Sequence, residues 1–376
     1  MTLLAGEICS FLAALGVIYL ALAAILVFRF PREPERSPAN CPPVSILVPL
    51  CGEDGHLRDR LAALCRQEYD APLQIVCGVQ DPNDPAIGIV KAVAAESNGV
   101  GVDLKVDPKQ SGANRKISNL LNMAPLARNP LLAIIDSDIL VPPDHLSHIA
   151  AALEQPGVGA VTCLYHGVSS VGLWSNLAAL SINVHFLPSV IVALTFGVAR
   201  PCFGSTIALS RATLQRIGGL SAFKDRLHDD YAIGERLREA GYAVAIPGFS
   251  VGHVCRESSG RSFLHNQLRA ARTIRMIKPL GYAGSLIAHP MAFAIPAAML
   301  DPTHGLPLLL LALATRLALC VSVESRFSLS RQTYWLLPFC DLLFLLVYAV
   351  SFFGGRIVWR GARYRLRSDG TLFQEW

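Results

Sequence analysis

Charged residues are scarce in this chain. They make up 16% of its 376 residues, whereas hydrophobic residues make up 52%, and the mean hydropathy is +0.42. An ordinary soluble enzyme carries more charge than this. The composition therefore indicates membrane segments beside a globular domain.

Paired cysteine motifs are also missing. The ten cysteines show no C-x-x-C spacing and no His/Cys pairs at zinc-binding distances. This excludes a zinc-finger framework. In a cytoplasmic domain such cysteines are expected to be reduced and mostly buried.

The first residues lack the marks of a cleaved signal peptide. "MTLLAGE" has no positive charge, and the uncharged run 8–28 is followed by "RFPREPER" rather than by a small-residue cleavage site. A run of this length can span the roughly 30 Å of hydrocarbon in a bilayer, so we predict a retained anchor. The arginines after it place the following domain in the cytoplasm by the positive-inside rule.

Three parts are predicted: an anchor and linker (1–40), a globular domain (41–280) and a membrane part with a basic tail (281–376). In the globular part, short apolar runs alternate with helical or turn-rich stretches, which indicates βαβ units and a mostly parallel sheet. A helix is expected in "HLRDRLAALCRQ". The predicted strands are 44–50, 73–79, 102–106 and 131–136.

The last part returns to a membrane composition. Its apolar runs are 281–300, 305–323 and 333–353. The tail "GGRIVWRGARYRLR" is strongly basic and expected in the cytoplasm, so we expect an even number of crossings, with the first run re-entrant or interfacial. Arg316 and Asp341 fall inside the last two runs, where charges are costly, and we predict that they pair.

A further apolar stretch, 167–199, lies inside the predicted globular domain and is nearly uncharged. It could form an unusually apolar core. It could also form an interfacial helix pair that lets a lipid stay in the bilayer while its polar end reaches the domain. We favour the second interpretation.

Acidic clusters follow three of the predicted strands: "CGEDG", "QDPNDPA" and "DSD". Ligands of parallel sheets bind beyond the carboxyl ends of the strands, so the clusters are expected to meet there. Strand alternation predicts that Asp136 and Asp138 point the same way, and they repel unless water, a cation or a donor lies between them. A solvated strand end is the alternative. Such a pair suits Mg²⁺ or Mn²⁺ when a diphosphate completes the coordination.

Four more motifs occur along the chain. Taken singly, they have ordinary explanations, such as a solvated helix start, an acidic helix N-terminus favoured by the dipole, or a membrane-surface helix face. Their order on this scaffold favours a functional interpretation. They are "SGANRKISNL" (111–120), "CFGSTIALSR" (202–211), "LHDDYAIG" (227–234) and "HNQLRAARTIR" (265–275).

Together these motifs resemble those of the nucleotide-diphospho-sugar glycosyltransferases. The sequence is most similar to the ceramide glucosyltransferase family (family 21), and within it to bacterial hopanoid-associated glycosyltransferases. The resemblance covers nearly the whole chain and implies an α/β fold of the GT-A type, with an N-terminal anchor and C-terminal membrane helices. It also implies an inverting transfer of glucose or N-acetylglucosamine from a UDP-sugar to the hydroxyl of a membrane lipid, such as a hopanoid polyol or ceramide.

The resemblance also implies site residues. Asp230 corresponds to the catalytic base, and a Mg²⁺ or Mn²⁺ ion would be held by Asp138 and Asp136, with Asp138 the stronger ligand. Asn119 would support the lysine of its motif. Asp84 would be a second-rank contact, after Asp81, to the uracil or ribose of the nucleotide sugar. The expected donor-binding residues are Glu53, Asp81, Lys116, Asp136, Arg269 and Arg272.

The basic helix departs from the family pattern. Arg269 and Arg272 keep the spacing of the (Q/R)-x-x-R-W motif, but the tryptophan is absent. A processive polysaccharide synthase, which carries the same motifs, is the first alternative; the missing tryptophan and the small membrane part disfavour it. A non-catalytic membrane scaffold is the second. We expect an integral protein of the bacterial inner membrane with a cytoplasmic catalytic domain, in contact with the lipid bilayer and without a nucleic-acid partner.

Overall fold

The computed structural model describes residues 2–32, 38–53, 55–97, 99–170, 172–353, 356–359, 362–366 and 372–374. The chain divides into two compact units. The sheet unit comprises Arg32–Tyr165, Arg200–Val254 and Ala362–Trp376, and the helical unit comprises Met1–Pro31, His166–Ala199 and Cys255–Gly361. The predicted domain 41–280 is thus divided between the two.

Ten strands precede the C-terminal segment. They are β1 (Val44–Pro49), β2 (Leu73–Val79), β3 (Gly101–Val106), β4 (Leu131–Ile135), β5 (Ile139–Leu140), β6 (Val158–Thr162), β7 (Leu164–Ser169), β8 (Thr206–Ser210), β9 (Ala243–Ala245) and β10 (Ser250–Cys255). The C-terminal segment adds β11 (Arg356–Trp359), β12 (Ala362–Leu366) and β13 (Leu372–Gln374). The four predicted strands coincide with β1 to β4 to within one residue at each end, so that prediction is confirmed.

Fourteen α-helices lie in the described ranges. They are α1 (Thr2–Phe28), α2 (Leu57–Cys65), α3 (Ala86–Glu96), α4 (Arg115–Met123), α5 (His145–Leu153), α6 (Leu173–Ser181), α7 (Leu187–Thr195), α8 (Arg211–Arg216), α9 (Asp229–Glu239), α10 (Gly260–Ile277), α11 (Pro279–Gly284), α12 (Pro290–Leu300), α13 (Pro302–Phe327) and α14 (Leu337–Ser351). A π-helical turn, Ile182–Phe186, joins α6 to α7, and 3-10 turns occur at Ala124–Leu126, Leu220–Phe223, Ser285–Ala288 and Tyr334–Leu336.

The central sheet of the sheet unit has seven strands in the order β3-β2-β1-β4-β8-β6-β9. Strands β3, β2, β1 and β4 are parallel, β8 is antiparallel to both of its neighbours, and β6 and β9 are parallel. The sheet is therefore mostly parallel, as predicted, and the carboxyl ends of β1, β2 and β4 share one edge.

Helices cover both faces of this sheet. On one face Ile46 belongs to a buried cluster with Leu61 of α2, and on the other Leu47 belongs to a cluster with Ile117 of α4. Because neighbouring residues of a strand point to opposite faces, burial on both sides requires apolar residues at nearly every position. This explains why the strands appear in the sequence as continuous apolar runs.

The helical unit exposes much apolar surface. Helices α1, α12 and α13 pack against one another, yet large side chains such as Phe11 and Leu310 are well exposed. Within the described ranges four helical stretches are long and apolar enough to cross a membrane: Leu4–Phe28, Leu173–Thr195, Pro302–Phe327 and Tyr334–Ser351. A fifth pair, Pro279–Ala288 and Pro290–Leu300, is bent by 48° and fits either a broken span or a re-entrant loop.

The apolar stretch 167–199 contains two helices, α6 and α7, which a π-helical turn joins into one continuous segment, Leu173–Thr195. The π-helical turn Ile182–Phe186 interrupts the α-helical hydrogen-bond pattern without ending the helix. Pro188 has no N–H to donate to the carbonyl of Val184, and that carbonyl instead accepts a hydrogen bond from Arg316 Nη1 at 2.8 Å. The π-helical turn ends two residues before this proline, in the segment where the normal hydrogen-bond ladder cannot form.

Arg316 and Asp341 form the predicted ion pair. The Nη2 and Oδ1 atoms are 2.6 Å apart and both side chains are fully buried. Arg316 also donates to the carbonyl of Ala288, and Asp341 Oδ2 accepts from the N–H of Met291 at 3.2 Å. In an apolar setting each charge needs such partners, because an unpaired buried charge is strongly destabilising.

Candidate active site at the carboxyl edge of the sheet

The loops after β1 and β2 carry two of the predicted donor-binding residues. Glu53 and Asp81 are both exposed there. Asp84 is buried, and its carboxylate accepts hydrogen bonds from the N–H groups of Gly52 (2.8 Å) and Ala86 (2.9 Å). Asp84 therefore holds the two loops together, whereas Glu53 and Asp81 are exposed to solvent.

Asn119 of α4 is hydrogen-bonded to the backbone at the same edge of the sheet. Its Nδ2 donates to the carbonyls of Gly78 (2.8 Å) and Leu50 (3.3 Å), at the ends of β2 and β1. A side chain at Gly78 would collide with Asn119 Oδ1, so glycine is required at that position. Asn119 thus fixes strand ends instead of acting directly beside the lysine of its motif.

The D-x-D motif forms a turn. Strand β4 ends at Ile135, and the N–H of Ile139 donates to the carbonyl of Asp136 at 3.1 Å. The prediction that strand alternation aligns Asp136 with Asp138 is therefore wrong. The turn, rather than a continuing strand, brings the two acids together.

Neighbouring elements hold this turn from two sides. Arg60 Nε donates to the carbonyl of Ser137 at 2.6 Å, and the N–H of Val254 in β10 donates to the carbonyl of Asp138 at 2.9 Å. The same strand places His253 Nδ1 3.7 Å from Asp138 Oδ1. An imidazole thus lies beside the predicted metal ligand.

Lys116 lies in the first turn of α4, between two acids. Its Nζ is 2.6 Å from Asp136 Oδ1 and 3.6 Å from Asp229 Oδ2. Burial by itself lowers the pKa of Lys116, but the charges of these two acids outweigh burial and hold the pKa above its usual value. Lys116 therefore remains a cation, and it stands where an anionic diphosphate would be attracted.

The pKa of Asp136 shows how the acids interact. Burial raises it, Lys116 opposes the rise, and the charge of Asp138 adds to it. Two carboxylates this close favour a cation between them, and carboxylate oxygens are ligands of both Mg²⁺ and Mn²⁺. Asp136 and Asp138 therefore fit the divalent cation predicted from the sequence.

Asp230 lies at the start of α9, where backbone donors hold it. Its Oδ2 accepts from the N–H of Gly204 at 3.0 Å, and its Oδ1 accepts from the N–H of Tyr231 at 2.8 Å. Burial and then the charge of Asp229 raise the pKa of Asp230 to about 6, with Lys116 opposing the rise. A carboxylate with this pKa is ionised at neutral pH and is still basic enough to accept a proton.

Gly204 lies at the centre of this group of charges. A Cβ atom there would be 3.1 Å from Asp136 Oδ2 and 3.2 Å from Lys116 Nζ. The preceding residue is fixed by Thr162, whose Oγ1 donates to the carbonyl of Phe203 and accepts from its N–H. A side chain at position 204 would therefore require Asp136 or Lys116 to shift by a few tenths of an ångström.

Asn114 connects the lysine helix to the helix of the acids. Its side chain caps α4 by accepting from the N–H of Ile117, and it donates to the carbonyl of Arg226 (2.7 Å) and to Asp229 Oδ1 (3.3 Å). In addition, the N–H of Ala113 donates to Asp225 Oδ1 at 2.9 Å. Lys116 and the pair Asp229–Asp230 are thus held in register by backbone and side-chain bonds.

The two predicted arginines belong to the helical unit. Arg269 is exposed on α10, and Arg272 Nη2 donates to the carbonyl of Phe353 at 2.9 Å. Lys116, Asp136, Asp138 and Asp230 are brought together in the sheet unit, whereas the donor-binding roles of Arg269 and Arg272 stay predictions.

Three residues of the site were not singled out from the sequence. Gly204 lies in "CFGSTIALSR" and Asn114 in "SGANRKISNL", so both motifs carried a signal, although the individual roles require tertiary contacts. His253 lies in "SVGHVC" and had no local signal, because its neighbour Asp138 is far away in sequence.

The mostly parallel sheet, with the D-x-D turn at the end of β4 and α9 beside it, defines the GT-A class of nucleotide-sugar-binding folds. The sequence matches Glycosyl transferase family 21 over residues 8–372, so the chain belongs to that family. The resemblance to family 21 inferred from the motifs is thereby confirmed, whereas the narrower likeness to hopanoid-associated enzymes stays a prediction.

Relatives and neighbours agree with this assignment. The chain is 23% identical to ceramide glucosyltransferase 1 of Caenorhabditis elegans over 65% of its own length and 52% of that protein. It is 23% identical to an N-acetylglucosaminyltransferase of Rhizobium leguminosarum bv. viciae over 64% of its length and 57% of that protein. The chain thus spans little more than half the length of these relatives.

A solved structure shares the fold. It is the mannosyltransferase PcManGT from Pyrobaculum calidifontis in complex with GDP-Man and Mn²⁺. The TM-score is 0.53 at 17% identity, covering 94% of this chain and 99% of the neighbour.

Proposed function

We propose that this protein transfers a sugar, glucose or N-acetylglucosamine, from a UDP-sugar to the hydroxyl of a membrane lipid, such as a hopanoid polyol or ceramide. The observation that carries the proposal is Asp230, a partly buried acid with a pKa of about 6, held by the Gly204 N–H beside the Lys116–Asp136 pair. A proton acceptor and a cation at the carboxyl edge of one sheet are the two groups that such a transfer requires.

Asp230 acts as the general base. It accepts the proton of the lipid hydroxyl as the hydroxyl oxygen attacks the anomeric carbon. The new carbon–oxygen bond forms on the face opposite the UDP, the old bond to the diphosphate breaks, and the configuration inverts. UDP leaves with the electron pair of the broken bond.

The leaving diphosphate gains negative charge during the reaction. Lys116 stabilises that charge, because it stays cationic at any physiological pH and is positioned before the substrate binds. Asp138 and Asp136 would hold a Mg²⁺ or Mn²⁺ ion, which supplies further neutralisation of the diphosphate. Glu53 and Asp81 are exposed on the adjoining loops, and we propose that they contact the uracil and ribose of the UDP-sugar.

Comparisons support the substrate classes of this proposal. The relatives carry the names ceramide glucosyltransferase and N-acetylglucosaminyltransferase, which point to the two sugars and to a lipid acceptor. The structural neighbour holds a nucleotide sugar and Mn²⁺. A lipid acceptor also agrees with the apolar surface of the helical unit.

The sheet itself constrains how the segment Leu173–Thr195 meets the membrane. Strands β6 and β8 precede and follow this segment, yet they are hydrogen-bonded neighbours in one sheet. A sheet cannot lie on both sides of a bilayer, so a single helix between them must begin and end on the same side. We therefore place the segment along the membrane surface, with the sheet unit in the cytoplasm of a bacterial cell and the protein in its inner membrane.

Transfer is tested with the full-length protein in lipid nanodiscs. UDP-glucose, UDP-N-acetylglucosamine and, as a control donor, GDP-mannose are each combined with ceramide, a hopanoid polyol or diacylglycerol. We expect UDP release together with a glycolipid carrying one sugar, and neither with Asp230→Asn. A polymeric product would instead support the processive synthase, and no sugar transfer to any acceptor would support a scaffold.

A further inference from the structure

A second group of polar side chains lies buried in the helical unit. It consists of His185 in the π-helical turn, His289 directly before α12, and Asp341 in α14. One ligand atom from each residue lies within 4.8 Å of the others. His185 Nε2 is 3.5 Å from Asp341 Oδ1, and the two imidazole rings are 5.0 Å apart.

The histidines have unused nitrogen atoms. Among the described residues, none forms a hydrogen bond with either ring nitrogen of His185 or with Nδ1 of His289. Both rings are largely buried, with 6% of His289 exposed. Buried polar atoms are normally bonded, so an unbonded nitrogen in each of two neighbouring rings favours a ligand that binds one nitrogen of each imidazole.

Arg316 fixes the framework of the group. It donates to the carbonyls of Val184 and Ala288, the residues directly before the two histidines, and it pairs with Asp341. The backbone at both histidines and the orientation of the carboxylate are therefore set by one side chain. Carboxylates that bind metals are commonly held by a further residue, as Asp341 is by Arg316.

We propose that His185, His289 and Asp341 bind one divalent transition-metal ion of the Zn²⁺ class. Two imidazoles and one carboxylate are a common three-residue set for Zn²⁺, and they leave a fourth position open. Mg²⁺, by contrast, takes oxygen ligands, which distinguishes this group from the Asp136–Asp138 pair. The ion would join the π-helical turn to α12 and α14 and so stabilise the helical unit.

Arg316 also limits the affinity. Arg316 would compete with the metal ion for the carboxylate of Asp341, and its positive charge would repel the ion. We therefore expect weaker binding than at a closed four-residue zinc site. Binding nevertheless raises the melting temperature of the folded protein, because the unfolded chain does not hold the three residues together.

The test uses full-length protein purified in detergent with a tag free of histidine. The protein carries Asp138→Ala, which removes one of the two proposed metal ligands of the sheet unit. Co²⁺ is titrated and followed by its visible absorption, and Zn²⁺ is then added as competitor. We expect one equivalent of Co²⁺, displaced by Zn²⁺, and loss of this binding in His185→Asn and in His289→Asn. His304→Asn is the matched control, because His304 is an exposed histidine of the same unit, paired with Asp301.

Binding that persists in folded His185→Asn and His289→Asn, or no binding in the parent protein, would overturn the proposal. If either variant fails to fold, X-ray absorption at the zinc edge of the zinc-loaded parent protein decides. Scattering from two imidazoles supports the site, and an oxygen-only shell or a single imidazole refutes it.

Discussion

The backbone N–H of Gly204 donates to Oδ2 of Asp230 at 3.0 Å. A neutral backbone donor fixes the carboxylate without bringing a positive charge to it. Burial and the neighbouring Asp229 can therefore keep the pKa of Asp230 near 6, where a salt bridge would have lowered it. This arrangement gives the proposed base a fixed position and a raised pKa.

Replacing this base should abolish most of the transfer. Asp230→Asn keeps the shape and the UDP affinity but cannot accept a proton, and we expect a rate loss of about 10²–10⁴-fold. Asp229→Asn is the matched control: Asp229 contacts Lys116 and Asn114, so its loss should be milder. Sugar transfer to lipid is measured beside UDP binding. A dead Asp229→Asn with a normal Asp230→Asn would reverse the assignment.

The pH profile should report the same group. Asp230 works only when ionised, and its raised pKa means that protons compete for it up to about pH 6. The value of kcat/KM is therefore expected to rise with pH through about 6 and then to level off. The profile is measured at saturating metal, and UDP affinity is followed in parallel. A rate that stays constant from pH 5 to pH 8 would contradict Asp230 as the base.

Asp138 should control metal-dependent donor binding. Asp138→Ala removes a ligand from the pair with Asp136, so titration calorimetry should show UDP binding that no longer responds to Mg²⁺ or Mn²⁺. The control is Asp144→Ala, an exposed acid that pairs with His148 at the start of α5. Unchanged metal-dependent affinity in Asp138→Ala would exclude Asp138 as a ligand.

Gly204→Ala adds a single methyl group to the site and should lower the rate of sugar transfer. The new Cβ would press on Asp136 and Lys116, and displacements of this kind lower rates by about 10–100-fold. Gly88→Ala is the control, because a Cβ there meets no atom within 4 Å and alanine suits its helix. Transfer rate and melting temperature are compared for both. A fully active Gly204→Ala would show that the close approach is not needed.

The C-terminal tail is predicted to be cytoplasmic. Its excess of arginine in residues 356–367 carries the prediction, and part of that tail lies outside the described residues. Reporter fusions at the C-terminus should be active only in the cytoplasm. Activity restricted to the periplasm would refute the even number of crossings.

Local pattern alone was enough for the first half of the fold. Strands β1 to β4 were visible because a parallel strand buried on both faces must be apolar at nearly every position. The pairing of Arg316 with Asp341 could be predicted for a similar reason, since a charge among apolar side chains needs an opposite charge. In each case the apolar surroundings restrict which residue types can occur, so the feature is visible in the sequence.

The details of the site depended on contacts between distant residues. Nothing in "DSD" indicates that Arg60 and Val254 hold it as a turn, and no local pattern places His253 beside Asp138. Asp84 resembled a substrate contact until its bonds to two loops were known.

Residue types and their order therefore determined the family, the mostly parallel sheet and the acids that could do the chemistry, because these depend on local burial and on motifs. The resemblance had already proposed Asp230 as the base, and the tertiary structure decided what surrounds each of the two acids. Asp229 and Asp230 are adjacent and chemically identical, and they differ only in what the fold brings to them. Lys116 and Asn114 contact Asp229, whereas the N–H of Gly204 meets Asp230, and only the packed chain brings these groups together.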